Sequence, residues 1–280
     1  MKKARMVLAL FLVSGLLATV VAGCSSRSVS SGGTTAPQSM IDRVQQKKEL
    51  VVGTAPGYYP FEMIDKQGNI IGFDVDIANK IGEALGVKVT IQRYDFDGLI
   101  PALQTGKIDI IIAGMTITPK RALTVSFTDP YYATGQTLLV SKKDPGVKSW
   151  KDLDVKGKVI GVSLGTTGAM LAKQLFKNAE VRDFNLFPEA ALAASTGKID
   201  AVVYDEPGVR VYVGQHQDSV YGVYDLISVE NLGMAVQKDD FVSLQWLNSF
   251  LYSYKDGPDY KASVKKWFED MSWLQNVEVK

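Results

Sequence analysis

Thr118-Pro119-Lys120-Arg121 carries the clearest chemical signal in this chain. A threonine before a proline starts a helix, the hydroxyl capping the first turn and the proline filling the first helical position. That end of a helix is already partly positive, so an arginine there is better explained if an anion joins it. Arginine's planar fork pairs with a carboxylate through two hydrogen bonds, and the helix amides add donors. The competing reading pairs Arg121 with a nearby acid such as Asp129. Further on, Asp205 ends the apolar run Ala201-Val202-Val203-Tyr204. Either it begins a turn ahead of Pro207-Gly208 or, facing Arg121, it partners an ammonium. A cleft that offers one cation and one anion suits a zwitterion.

Aromatic residues cluster upstream: Tyr58, Tyr59 and Phe61 on one loop, Tyr94 and Phe96 before an apolar helix. Loop-borne rings can sandwich a small ligand and exclude water, which strengthens any charge pair inside; Phe61 and Tyr94 are assigned to the core instead. Gly161-Val162-Ser163-Leu164-Gly165 matches the G-x-S-x-G nucleophile elbow, and the order Ser163, Asp205, His216 fits a hydrolase. His216 is the only histidine, however, and sits in the polar stretch Gly214–Asp218. With one histidine and one cysteine no zinc site can be built, and no cofactor is expected.

The elements that must position these groups come in two copies. Thr105-Gly106-Lys107-Ile108-Asp109 recurs unchanged as Thr196-Gly197-Lys198-Ile199-Asp200. Each copy follows a helix-like stretch and opens an apolar run, expected as strands 108–113 and 199–203, and each glycine is a helix stop. The alternative is coincidence, since helix–glycine–strand is common punctuation. Read as one unit used twice, the echo implies two lobes of the same design. Gly114 and Asp205 then hold matching places at strand ends, where ligands sit in open α/β sheets. Strands are further expected at 49–53, 87–91 and 158–163. Helices are expected at 74–85, 98–105 and 167–177, followed by a helical tail without new strands. Alternation of this kind argues for an α/β fold with mostly parallel sheets.

Lys2, Lys3 and Arg5 precede an apolar stretch from Met6 to Ala22, and Val21-Ala22-Gly23-Cys24 follows. This reads as a secretory leader, residues 1–23. The small residues before the single cysteine resemble the lipobox of bacterial lipoproteins, in which Cys24 is lipidated; the alternative is an uncleaved anchor helix. Residues 24–39 are Ser, Gly, Thr and Pro with few apolar side chains and read as a tether holding the body on the order of 20 Å from the lipid. Both readings put the body outside the cytoplasm and tied to a membrane. The chain's 31 basic and 30 acidic residues become 28 and 30 without Lys2, Lys3 and Arg5 of the leader, a near-balance that supplies no electrostatic reason to expect nucleic acid.

Taken as a set, several stretches resemble the extracellular solute-binding proteins of family 3, the polar amino-acid receptors of ABC importers. They are Tyr58-Tyr59-Pro60-Phe61, Gly72-Phe73-Asp74-Val75-Asp76, Phe96 to Leu103, Ala113 to Thr118 with Arg121, Phe127 to Tyr132, Gly165-Thr166-Thr167, the Asp200 to Asp205 strand and Lys266-Trp267-Phe268. The resemblance spans about residues 45 to 270 and implies a periplasmic-binding-protein-like α/β fold. It implies two α/β lobes (40–133 plus 230–280, and 134–229) joined by a two-strand hinge, with a ligand cleft between them. It implies that Arg121 grips the carboxylate of a free amino acid with the amides of Thr116 and Thr167. Asp205, the Gly114 carbonyl and the Thr116 hydroxyl would hold its ammonium, while Tyr58 and Phe96 flank it. Ser163 and Thr166 belong to the same site, and an ABC-transporter permease would be the partner. Ala55 stands where relatives often carry an acid, and Ser163 where the glutamine receptor has a lysine, so an uncharged ligand side chain is expected; the alternative is that Glu62, Asp95, Asp97 or Glu206 turns into the pocket and meets a cationic one. A dehydratase on the same fold, with Glu62 or Glu206 as acid, and a sensor that signals without transport are the competing readings.

Overall fold

Both copies of the Thr-Gly-Lys-Ile-Asp run fold alike in the computed structural model, which describes residues 38–279. The leader and Cys24 lie outside the described residues. Thr105 and Thr196 each end a helix, with Gly106 and Gly197 next, both at φ 71°. Only glycine adopts that left-handed turn without steric cost. The following aspartates do equal work. Asp109 accepts a hydrogen bond from the Val51 amide at 3.0 Å, and Asp200 accepts one from the Val159 amide at 2.7 Å. Even the isoleucines match: a methyl group added to Gly53 would meet Ile108 at 2.3 Å, and one added to Gly161 would meet Ile199 at 2.7 Å. The repeat is thus one packing unit built twice, its isoleucine seated in the gap a neighbouring glycine leaves.

In chain order the strands are β1 (Glu49–Thr54), β2 (Met63–Ile64), β3 (Ile70–Ile71), β4 (Lys88–Arg93), β5 (Ile110–Ile111), β6 (Val125–Phe127) and β7 (Tyr132–Thr134). There follow β8 (Gln136–Ser141), β9 (Val159–Ser163), β10 (Glu180–Phe184), β11 (Ala201–Asp205), β12 (Val220–Val223), β13 (Glu230–Leu232) and β14 (Ala235–Gln237). One sheet runs β4-β1-β5-β14-β6 and the other β10-β9-β11-β8-β12. In each, three neighbouring strands are parallel, and one strand, β14 or β8, runs against both of its neighbours. Those two are the strands entered directly after the chain crosses between sheets. The crossing is itself a small ladder, β7 antiparallel to β13. This is the two-strand connection between two α/β lobes.

Helices cover the sheets through apolar stripes. Phe73–Leu85 buries Phe73, Ile77, Ile81 and Leu85, a spacing of four that keeps one face inward. Thr167–Leu175 and Phe187–Ser195 cover the second sheet, and Phe241–Asp256 and Pro258–Val264 form the helical tail. Phe61 is fully buried in one apolar cluster, and Tyr94 packs, partly buried, against another that holds Leu99 and Leu103. The strand expected over 108–113 is shorter, β5 alone, because Ile108 packs into Gly53 and Ala113-Gly114 bend away toward the cavity described below.

Candidate functional site

Beyond the carboxyl ends of β5 and β11 a narrow cavity of ≈ 30 Å³ lies between the two lobes. The nine residues expected from the sequence (Tyr58, Phe96, Gly114, Thr116, Arg121, Ser163, Thr166, Thr167 and Asp205) all line it. They arrive from separate loops and strand ends, brought together by the doubled architecture.

Arg121 sits in the short helix Pro119–Ala122, where Thr118 caps by accepting from the Arg121 amide at 3.2 Å. Its guanidinium is buried. Nη1 donates to the Thr116 carbonyl at 2.6 Å and Nη2 to the Gly165 carbonyl at 3.0 Å, so one side chain touches both lobes. The Phe96 ring lies 5.3 Å from its Cζ, a cation–π distance. Among the described residues no carboxylate, that of Asp129 included, forms an ion pair with it. Burial pulls the guanidinium down to about 10, with Glu230 and Asp205 acting against it. It remains a cation with neutral partners.

Asp205, 6% exposed, accepts from Gln136 Nε2 at 3.0 Å through one oxygen; the other oxygen has no donor. Burial, then the Glu230 charge, push its carboxyl up to about 7. Gly114 takes φ 54°, and the Tyr58 ring packs where a side chain would stand, 2.3 Å from an added methyl group. No other residue fits there. Thr166 is spent on structure, capping Thr167–Leu175 by accepting from Ala169 at 3.1 Å and donating to the Ser163 carbonyl at 2.7 Å. Ser163 donates to the Asn185 carbonyl at 3.2 Å.

The hydrolase constellation is not assembled. His216 lies off the cavity wall, its ring stacked on Tyr212 at 4.3 Å and Nε2 2.9 Å from the Val279 carbonyl oxygen. The Ser163 hydroxyl is bonded not to that histidine but to the Asn185 carbonyl.

Of the acids that the sequence allows to enter the pocket, Glu62 lines it; no binding role was read for Gln136, Tyr204, Phe187 or Glu230. Phe187 stacks on Tyr204 at 4.0 Å and Tyr58 meets Tyr204 edge-on at 5.3 Å, forming an aromatic wall. Glu62 is fully buried in that wall, with no donor on either carboxyl oxygen. Asp74 lies behind it, accepting from the Gly114 amide at 2.7 Å and the Tyr131 hydroxyl at 2.9 Å. Burial, then Asp74, raise the Glu62 carboxyl well above the ordinary range, and burial pushes Asp74 up to about 7. Adjacent buried acids resist ionising together, because each charge disfavours the other. The signal for Glu62 was its place as a lone acid in the run Tyr58 to Met63; Glu230, in a short polar stretch, showed none.

Paired α/β lobes, a two-strand connection and a cavity at the strand ends define a periplasmic-binding-protein fold. The chain belongs to the bacterial extracellular solute-binding proteins, family 3, which it matches over residues 50–270. It is 32% identical to the arginine-binding extracellular protein ArtP of Bacillus subtilis over 257 residues, 90% of this chain and 97% of that one. A putative ABC-transporter binding component from Wolinella succinogenes, solved with lysine, shares 42% identity at a TM-score of 0.79, covering 82% of this chain and all of that one. An ancestral amino acid-binding protein, AncCDT-1, a precursor of cyclohexadienyl dehydratase, shares 40% identity at a TM-score of 0.78, again over 82% of this chain and 100% of its own.

Proposed function

We propose that this protein is an extracytoplasmic receptor that closes on a free amino acid with a cationic side chain and delivers it to an ABC importer. Glu62 carries the proposal. Arg121 meets the carboxylate and Asp205 the ammonium, while Glu62 offers a further buried acid to a second cation. Around the cavity stand one buried cation, Arg121, and the acids Asp205, Glu230 and the Glu62–Asp74 pair. A neutral amino acid adds no net charge to that set; arginine or lysine adds one positive charge, and buried charges require partners. Ala55 and Ser163 line the cavity without charge, which was the ground for expecting an uncharged ligand. Glu62 outweighs them. The ligands of ArtP and of the Wolinella protein, arginine and lysine, point the same way.

A thermal-shift panel tests this directly. A ligand at a hundredfold its Kd stabilises by about 2.7 kcal/mol, so arginine or lysine should raise the melting temperature by several degrees more than glutamine does. Glutamine stabilising more than either restores the uncharged reading, and no response to any amino acid removes the receptor reading altogether. Prephenate or arogenate should pass through unchanged, since binding without turnover is proposed.

Binding should depend on pH in a defined direction. The raised carboxyls hold protons in the empty cavity, and a cation binds only their ionised forms. Affinity for arginine should therefore fall by about tenfold per pH unit, for each proton released, below about 7. Stability of the empty protein runs the other way. Acids whose folded values are raised stabilise at low pH and lose that contribution as pH rises through about 7 for Asp74 and Asp205. Calorimetry from pH 5 to 8 reads both trends; an arginine affinity flat across that range refutes the coupling.

Cys24, preceded by small residues after an apolar leader, supports lipid anchoring of the mature protein to the membrane. Cys24→Ser should release folded, ligand-binding protein from the membrane fraction, since acyl chains supply the anchor. Retention of the variant with an intact leader would instead support the anchor-helix reading.

A further inference from the structure

We propose that Glu230, on the connection between the lobes, is a positioning residue that turns the Thr116 hydroxyl into an acceptor for the ligand's ammonium and ties that acceptor to closure. The inference rests on the amino-acid receptor reading and concerns a residue to which that reading assigns no hydrogen-bonding role.

Glu230 opens β13, is 7% exposed, and receives hydrogen bonds from both lobes on a single oxygen. Thr116 Oγ1 donates to Oε2 at 2.7 Å and Thr167 Oγ1 donates to the same Oε2 at 2.6 Å. The other oxygen, Oε1, accepts from the Ser228 hydroxyl at 2.9 Å, and Ser228 Oγ in turn accepts from the Gln136 amide at 3.1 Å. A threonine hydroxyl has one proton. With both protons directed at Glu230, the 3.3 Å approach of Thr116 Oγ1 to Thr167 Oγ1 carries no hydrogen bond between them. Their lone pairs are what remain. Thr167 Oγ1 already faces a donor, Gln136 Nε2 at 3.4 Å. Thr116 Oγ1 does not, and it lines the cavity with the donor-free Asp205 oxygen. The site therefore presents two acceptors to an ammonium and rejects a group that could only accept. Because Thr116 and Thr167 come from opposite lobes, Glu230 holds both only when the cleft is shut.

A charge effect accompanies the geometry. Asp205 is faced by Tyr58, Tyr204, Glu62, Arg121 and Glu230, and among these charges Glu230 acts most strongly to raise it. Removing that charge should let Asp205 ionise at lower pH.

The test uses the whole protein with two probes, L-arginine and 5-guanidinopentanoate, which lacks only the α-amine; L-glutamine and glutaramate form a second pair whose side-chain end is uncharged. Glu230→Ala should weaken L-arginine by about tenfold or more, the scale of a hydrogen bond to a charged group, and 5-guanidinopentanoate by less than about threefold. Glu230→Gln keeps an acceptor oxygen, so it should recover most of the affinity while moving the acid limb of the pH profile to lower pH. If Glu230→Ala does not fold, the Glu230→Gln pH profile decides. Equal losses for the amino and deamino ligands, or an unmoved acid limb in Glu230→Gln, overturn the role of Glu230. Failure of the wild-type protein to bind L-arginine and L-glutamine overturns the receptor reading itself.

Discussion

Arg121→Ala should abolish amino-acid binding at ordinary concentrations while the protein stays folded. The guanidinium is buried between two carbonyls, beneath Phe96, with no ion-paired carboxylate among the described residues. A cation held in that state has its strongest interaction still to make. Truncating one member of a buried charge pair costs about 2–5 kcal/mol or more, so affinity should fall at least about thirtyfold. Arg121→Lys should be nearly as poor. An ammonium cannot span Thr116, Gly165 and a ligand carboxylate with one planar fork. Isothermal calorimetry reads the loss, and an unchanged Kd in Arg121→Ala would sink the assignment of this cavity.

The second large effect is a change of preference. Glu62→Gln retains shape and hydrogen-bonding capacity but removes the carboxylate available to a cationic side chain. Arginine and lysine should weaken by about tenfold to a hundredfold, the range of a hydrogen bond to a charged group. Glutamine, which needs no such partner, should hold steady or improve. The selectivity ratio is the readout, because a general structural fault would lower all three. Equal losses across arginine, lysine and glutamine would show that Glu62 supports the wall without reading the ligand.

Much of the architecture was legible in the residues, for physical reasons. The Gly106 and Gly197 stops, the Thr118-Pro119 helix start and the four-residue spacing of Phe73–Leu85 are local signals, and local structure obeys them. The residues expected at the site line one cavity because most sit at strand ends or helix starts, where chemistry and punctuation coincide. What escaped were groups whose roles arise from long-range packing. Gln136 meets Asp205 only because β8 pairs antiparallel with β11. Glu230 meets Thr116 only through a contact 114 residues apart. Phe96, a residue of the cavity wall, also lies against Arg121, far from it in sequence. No short-range pattern announces any of these.

The strand order also sets a schedule for assembly. All five strands of the second sheet lie in the continuous stretch 136–223, whereas the first sheet begins at Glu49 and lacks its fourth strand until Ala235–Gln237 arrives. Strand β6 has no neighbour in the sheet except that late arrival, and β5 keeps an open edge until then. A chain emerging amino end first can therefore complete the lobe it starts second before the lobe it starts first. An unfinished sheet with an open edge invites wrong pairing, so the earlier segment spends the crossing as the vulnerable half. The last sheet strand is in effect the clasp, and the receptor becomes a two-lobed object only when residues 235–237 slot home.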